Sequence, residues 1–262
     1  IESNKSINIY LPDSNLHKLY KRCKNELGVP FVFQGSLGVS GEDTFLINSF
    51  NEFVKICMNF QGNFRALKYL ENVIPLSVHI CVTAEDILYE GPYIQIIGFR
   101  MLTRNPFQFS GNDTNQKILT EEVKKKIKSL SMKLSLYAKE LGYRGILGID
   151  FLWDKDSDKV FVQEINSRLV GLTRLLTGIQ KEQNKPLDLS KHDYSQIYIA
   201  NNKDSIVEVK RYLLPGIYEV VKNNLIRVKN SLFLSDMAEN QVLINFSAYK
   251  GSKLKKDQLI SR

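Results

Sequence analysis

The chain has 262 residues, of which 43% are apolar and 24% charged, enough to bury a substantial core in one or two domains and unlike a disordered chain. A net charge of +8 and an isoelectric point near 9.2 suit an anionic partner: nucleotide, nucleic acid or acidic lipid. Mean hydropathy is −0.21, and no apolar run approaches the roughly 20 residues of a bilayer-spanning helix, which argues against a membrane span. The three cysteines, Cys23, Cys57 and Cys81, are isolated from one another, which points to a reducing cytosol rather than to a disulfide scaffold or a zinc site. No signal-peptide pattern is present, and because the chain starts at Ile1 rather than Met, further sequence upstream is expected.

In chain order, Asp13 or Ser14 is placed to cap a helix carrying Leu16, Leu19, Tyr20, Cys23 and Leu27 at helical spacing, with Gly28 as its stop. A short strand, Phe31 to Gln34, leads into the polar segment Gly35 to Asp43 and a second strand, Thr44 to Ile47, the pattern of a hairpin with a long tip. Ser49-Phe50-Asn51-Glu52 has the form of a capping box and opens a helix bearing Phe53, Val54 and Cys57. From Arg65 to Gly98 the residues are β-rich, and breaks at Glu71-Asn72 and at Tyr89 to Pro92 predict two or three strands. Thr120 begins the longest helix, with Val123, Ile127, Leu130, Leu134, Tyr137 and Leu141 on its apolar face and Gly142 as the stop. Gly145 to Trp153 and Lys159 to Ile165 then form a second hairpin around Asp154 to Asp158. Beyond about Gln183 a polar stretch leads to a helix near Asp204 to Leu213 and short strands such as Ser231 to Leu234 and Gln241 to Phe246.

Two constellations carry chemistry. Glycines at 35, 38 and 41 permit close backbone approach, so that N–H groups can converge on an anion, although by itself the loop reads more simply as a glycine-rich hairpin tip. It is neither a Walker A loop nor a dinucleotide fingerprint, since no Gly-Lys-Ser/Thr follows and a strand rather than a helix comes next. The second is Asp150 on one strand with Glu164 and Asn166 on the next. Pairing around Asp156 sets Asp150 roughly opposite Glu164, and Glu164 and Asn166, two apart, share a face. Two carboxylates and an amide among apolar neighbours are hard ligands suited to Mg²⁺ beside phosphates, because uncompensated buried charge is expensive. Arg168 and Lys68 are cations suited to a triphosphate, though each alone reads as a surface charge.

In this order and spacing, Val32-Phe33-Gln34, Gly35 to Gly41, Gly148-Ile149-Asp150-Phe151 and Gln163 to Arg168 resemble the ATP-grasp superfamily of carboxylate–amine ligases. Val82 to Gly98, ending in Gln95-Ile96-Ile97-Gly98, with Leu102-Thr103 and Gly111-Asn112-Asp113, resembles the biotin-carboxylase-like branch that contains the pheganomycin-type peptide ligases. Gly216-Ile217-Tyr218 and the strands up to Ile260 resemble that branch's C-terminal lobe.

The resemblance implies an α/β (α+β) ATP-grasp fold whose two lobes clamp ATP. Residues 1–29 would end a linker and helix from an N-terminal domain expected to lie outside this chain. Residues 30–180 would form the ATP-grasp domain, with a lid lobe at about 30–75 and a core lobe at about 76–180, and 181–262 a C-terminal lobe. It implies Asp150, Glu164 and Asn166 as Mg²⁺ ligands, and Gly38, Ser40 and Gly41 as a cover over the phosphates. Lys68, Glu71 and the Leu70 backbone would meet adenine, and Arg168 would act in phosphoryl transfer. Gln34 stands where many of these enzymes place a phosphate-binding lysine. The implied cofactors are ATP and Mg²⁺, and the implied activity is an ADP-forming peptide or amide ligase, joining a small-molecule carboxylate to an amine by way of an acyl phosphate. The alternative is a catalytically weak nucleotide-binding module acting as sensor or scaffold. A homodimer stays open. Lys124, Lys125, Lys126 and Lys128, or Lys250, Lys253, Lys255 and Lys256, could contact nucleic acid, but no aromatic interleaving or nucleic-acid motif accompanies them, and the first run reads as a solvated helix flank.

Overall fold

The computed structural model describes residues 4–12, 15–36, 41, 43–98, 105–114, 116–173, 176, 177 and 180, and beyond these the backbone of five strands between His192 and Tyr249.

The first sheet combines β1 (Ser6–Leu11), β2 (Phe31–Gly35), β3 (Thr44–Ile47) and β4 (Gly62–Lys68) in the antiparallel order β1-β4-β2-β3. Strict alternation builds it. Ile7, Ile9 and Leu11 of β1 are buried while Ser6, Asn8 and Tyr10 point the other way, and Phe31, Phe33, Phe64 and Ala66 continue the buried side on β2 and β4. The apolar side is covered by α1 (Leu16–Leu27) and α2 (Phe50–Asn59), which contribute Leu19, Cys23, Leu27, Phe53 and Cys57 to a core rich in ring contacts. Phe33 and Phe64 stack with centroids 4.6 Å apart. β1 had no counterpart in the sequence reading, which treated its residues as linker. Its alternation is short and ends at Pro12, but its partner β4 completes the sheet.

The helix caps fall close to expectation, with one displacement. Asn15, rather than Asp13 or Ser14, caps α1, its Oδ1 accepting the Lys18 N–H at 2.9 Å. At α2 the Ser49 hydroxyl accepts the Glu52 N–H, and the Glu52 carboxylate reaches back to the Asn48 N–H at 2.8 Å, which holds that carboxyl below its usual range.

The second sheet has eight strands in the order β13-β14-β10-β7-β6-β5-β8-β9. It consists of β5 (Val73–Val82), β6 (Ile87–Ile97), β7 (Phe109–Asp113), β8 (Gly145–Asp154), β9 (Lys159–Asn166), β10 (His192–Ala200), β13 (Phe233–Ala238) and β14 (Gln241–Tyr249), with β11 (Tyr218–Val221) and β12 (Asn224–Arg227) as a separate hairpin. Thus β10, β14 and β13 extend the sheet that carries β5 to β9. The helix expected near 204–213 lies outside the described residues.

The β-rich segment from 62 to 97 forms three strands, as one of the expected counts had it, but the second break is elsewhere. Tyr89 to Pro92 lies inside β6, where Gly91 takes φ of +118° and β5 shifts register between Ser77 and His79 to accommodate it. The chain turns instead at 83–86, where the Thr83 hydroxyl accepts the Asp86 N–H at 2.8 Å.

One face of this sheet packs on α3 (Glu121–Glu140), capped by Thr120 as expected. Leu76, Val78, Ile80, Ile94, Ile149, Phe151 and Trp153 meet Val123 and Ile127 there. The buried stripe then departs from the predicted one. Ser131 and Ser135 occupy it in the last turns, while Leu130 and Leu134 are only partly buried and Tyr137 and Leu141 are exposed. Stepping by four from Val123 keeps residues on the sheet side, whereas the mixed three-and-four spacing of the leucines drifts off it.

Among the described residues no helix is long and apolar enough to cross a membrane.

Candidate active site

The polar faces of the two sheets bound a cleft of about 1480 Å³. The lid sheet contributes two adjacent rows of side chains. Strand register aligns Asn8, Arg65, Gln34 and Thr44 in one row, and Leu67, Val32 and Leu46 in the next, so a polar row runs beside an apolar one. The link between sheets, Lys68 to Glu71, also lines the cleft. The Lys68 backbone is already engaged, its N–H donating to the Lys5 carbonyl at 3.0 Å and its carbonyl accepting from Asn4 Nδ2 at 2.8 Å.

On the opposite face stand Ser77, Gln95, Asn112, Asp150, Glu164 and Asn166. Their placement depends on one irregularity. From the turn, Asp154 pairs with Lys159 and Phe151 with Val162, and regular continuation would set Asp150 against Gln163. A bulge between Asp150 and Phe151 inserts Gln163 as an extra residue, so that Asp150 faces Glu164 and Gly148 faces Asn166. Without it, Glu164 would turn toward the α3 core.

Asp150 lies partly buried, with Asn166 Nδ2 donating to its Oδ2 at 3.3 Å. Burial pushes its carboxyl up to about 6, the nearby Glu164 charge adds to the rise, and hydrogen bonds from Ser77 and Gln95 together with the Arg168 charge oppose it. Glu164 and Arg168 are exposed, and Arg168 donates to the Leu169 carbonyl at 3.2 Å. Immediately after Arg168 the chain is pinned to the sheet. Val170 packs so closely over Gly148 that an added Cβ there would lie 2.7 Å from Val170 Cγ1, and the Thr173 hydroxyl meets His79 Nε2 at 2.8 Å.

The cover expected from the glycine loop is described at Gly41 only; Gly38 and Ser40 lie outside the described residues. Gly41 has φ of +83°, and a Cβ on it would run into the Phe107 carbonyl, so only glycine fits. Its own carbonyl accepts from Asn105 Nδ2 at 2.9 Å, joining the lid to the segment that precedes β7.

The cleft therefore brings together Gln34, Gly41, Lys68, Leu70, Glu71, Asp150, Glu164, Asn166 and Arg168. Sequence reasoning overlooked Asn8, Arg65, Ser77, Gln95 and Asn112. The available signal was a single polar residue out of phase with its apolar neighbours, as in Phe64-Arg65-Ala66 and Ile94-Gln95-Ile96. Among the described residues no cluster of three or more His, Cys, Asp or Glu occurs, so a bound cation would rely on two carboxylates and the Asn166 amide. That set fits Mg²⁺: all three donors are hard, and Glu164 faces Asp150, so that the Glu164 charge disfavours ionised Asp150 until a cation intervenes.

No family model and no curated protein matches the chain. Solved structures do. The carboxyaminoimidazole ribonucleotide synthase of Aspergillus clavatus, complexed with ATP, superposes with a TM-score of 0.68 at 12% identity over 98% of this chain and 67% of its own. The biotin carboxylase domain of the Hydrogenobacter thermophilus 2-oxoglutarate carboxylase, with MgADP and bicarbonate, gives 0.63 at 16% identity over 94% and 58%. D-alanyl-alanine synthetase A of Vibrio cholerae gives 0.55 at 13% over 71% and 55%. The fold is the mixed α/β ATP-grasp fold that the motifs led us to expect. The chain spans about two thirds or less of the length of these structures.

Proposed function

We propose that this chain carries the nucleotide-binding and phosphoryl-transfer machinery of an ADP-forming ligase that joins a carboxylate to an amine, with an amino acid or small peptide as the substrate class. The observation that carries the reading is the facing pair Asp150 and Glu164, turned by the β9 bulge into a cleft on an ATP-grasp fold.

In the reaction a carboxylate oxygen of the acid substrate attacks the γ-phosphorus of ATP, the bond from that phosphorus to the β–γ bridging oxygen breaks, and ADP departs. The amine nitrogen then attacks the acyl carbon of the resulting acyl phosphate. The carbon–oxygen bond to phosphate breaks, inorganic phosphate leaves, and the nitrogen loses its proton to solvent. Such chemistry needs positioning and charge neutralisation rather than a nucleophilic side chain. Asp150, Glu164 and Asn166 would hold Mg²⁺, which when bound neutralises phosphate charge as a Lewis acid. Ser77 and Gln95 fix the Asp150 carboxylate by hydrogen bonds. Val32, Leu46 and Leu67 offer an apolar surface to a base, with Lys68, Leu70 and Glu71 at its edge. Arg168 would stabilise charge on the transferred group, and Gly41, with Gly38 and Ser40 outside the described residues, would belong to the cover over the phosphates.

The test is ATP binding together with phosphate release across a panel of amino acids and small peptides. Acid-dependent release that disappears in Asp150→Asn is the expected result. Tight ATP binding with no acid-dependent release from the whole protein would instead make this a nucleotide-binding module.

A further inference from the structure

We propose that Arg65, presented by Gln34, is the lid-side cation that receives the phosphate chain of the nucleotide. The inference rests on the nucleotide-binding reading above and goes beyond it, since Arg65 lies in none of the motifs that suggested that reading.

Arg65 is half-buried in the cleft wall, at the centre of the polar row formed with Asn8, Gln34 and Thr44. Among the described residues it makes no ion pair; its one described side-chain partner is neutral, the Gln34 carboxamide oxygen, which accepts from Nη2 at 3.2 Å. A guanidinium withdrawn from water without a counter-charge is costly, and an anionic ligand reaching that wall would relieve the cost. Its spare donors form a planar fork matched to phosphate oxygens.

Position selects the phosphates rather than the base. The neighbouring row of Leu67, Val32 and Leu46 is apolar, and on the other side of Gln34 the chain enters the glycine segment at Gly35. Arg65 thus stands between a surface suited to a base and a loop suited to phosphate. Gln34 is neutral, and the cation of this row stands one strand away, on its paired residue. Gln34 is then a positioning residue: its oxygen fixes the guanidinium and it makes no charged contact itself.

Calorimetry of the full chain with ATP, ADP, adenosine and inorganic tripolyphosphate tests this. Arg65→Ala should weaken ATP and ADP binding about tenfold or more, in keeping with the loss of a charge-assisted hydrogen bond, and leave adenosine within about twofold. Exchanging the pair, Gln34→Arg with Arg65→Gln, should restore most of the ATP affinity, and it serves as the deciding variant if Arg65→Ala does not fold. Unchanged ATP affinity in Arg65→Ala, or equal losses for ATP and adenosine, would overturn the proposal. If the wild-type chain binds tripolyphosphate in an Arg65-dependent way but not ATP, the phosphate site stands and the ATP-ligase reading falls. If it binds neither, both fall.

Discussion

Asp150 is held against its own charge. Its folded-state pKa, about 6 against an ordinary 3.8, means that the folded protein takes up a proton more tightly than the unfolded chain between those values. The sign is the reverse of the usual carboxylate. Stability contributed at this site is full below about pH 4 and is lost as pH rises through 6, so in metal-free buffer the wild type should lose stability over that window relative to Asp150→Asn. Urea melts of both proteins at a series of pH values measure the difference, and parallel curves would contradict the assignment. Proton and cation compete for the same oxygens, so Mg²⁺-nucleotide binding should tighten as pH climbs through 6. For turnover, Asp150→Asn and Glu164→Ala should each lose on the order of a hundredfold or more in acid-dependent phosphate release, the scale expected for a lost transition-state stabiliser. Normal rates in both would remove these residues from the mechanism.

Among the elements, the β8–β9 hairpin shows both how far sequence reasoning reaches and where it stops. The acid-bearing strands, their turn and the sharing of one face by Glu164 and Asn166 follow from alternation and turn chemistry. The bulge that aligns them does not, because Gln163 carries no turn-forming signature and the irregularity exists only in the pairing. β1 and β7 were missed for a related reason. β7 carries no alternation, and that of Ser6–Leu11, though regular, spans only six residues and takes its place in a sheet from its partner β4. The Gly91-Pro92 pair looked like a turn because its local chemistry is that of one, yet cross-strand pairing with β5 overrode it. In the site, the acids Asp150 and Glu164 in their apolar runs were legible, Arg65 and Gln95 were passed over although each stands alone among apolar neighbours, and Ser77 and Asn112 became visible only when strands were set side by side.

Two substitutions test packing at this scale. Gly148→Ala places a methyl group against the stiff, branched Val170 and should cost about 1–3 kcal/mol, while displacing the segment that carries Arg168. Thermal melting and turnover should therefore fall together. Ser131→Ala on α3 should do the opposite. The Ser131 hydroxyl is buried with no hydrogen-bond partner among the described residues, and alanine is the better helix former, so a gain of about 1 kcal/mol is expected in chemical denaturation.

Among the described residues, the positive charge of the lysine cluster on α3 is largely answered. On α3, Lys124 pairs with Glu121 at 2.8 Å, Lys126 with Asp158 at 3.0 Å and with Glu122 at 3.6 Å, and Lys128 sits over the Tyr89 ring. These pairs are exposed and add little stability, and the Lys125 charge too acts on Glu121. Oligonucleotide affinity should accordingly be weak, with a shallow dependence on salt. A steep slope, equivalent to several released counterions, would show that an unpaired basic surface lies elsewhere in the chain.

The contact between Gly41 and Asn105 has a kinetic meaning. It ties the glycine segment of the lid to the segment before β7 at the wall of the cleft, so on the function proposed above a nucleotide bound there would be released in step with the opening of that contact. Product departure would then be a conformational event with its own rate, separate from bond making. Asn105→Ala should accelerate ADP release in a stopped-flow chase while leaving the equilibrium for adenosine almost untouched, and in a protein limited by that departure it would turn over faster than the natural sequence.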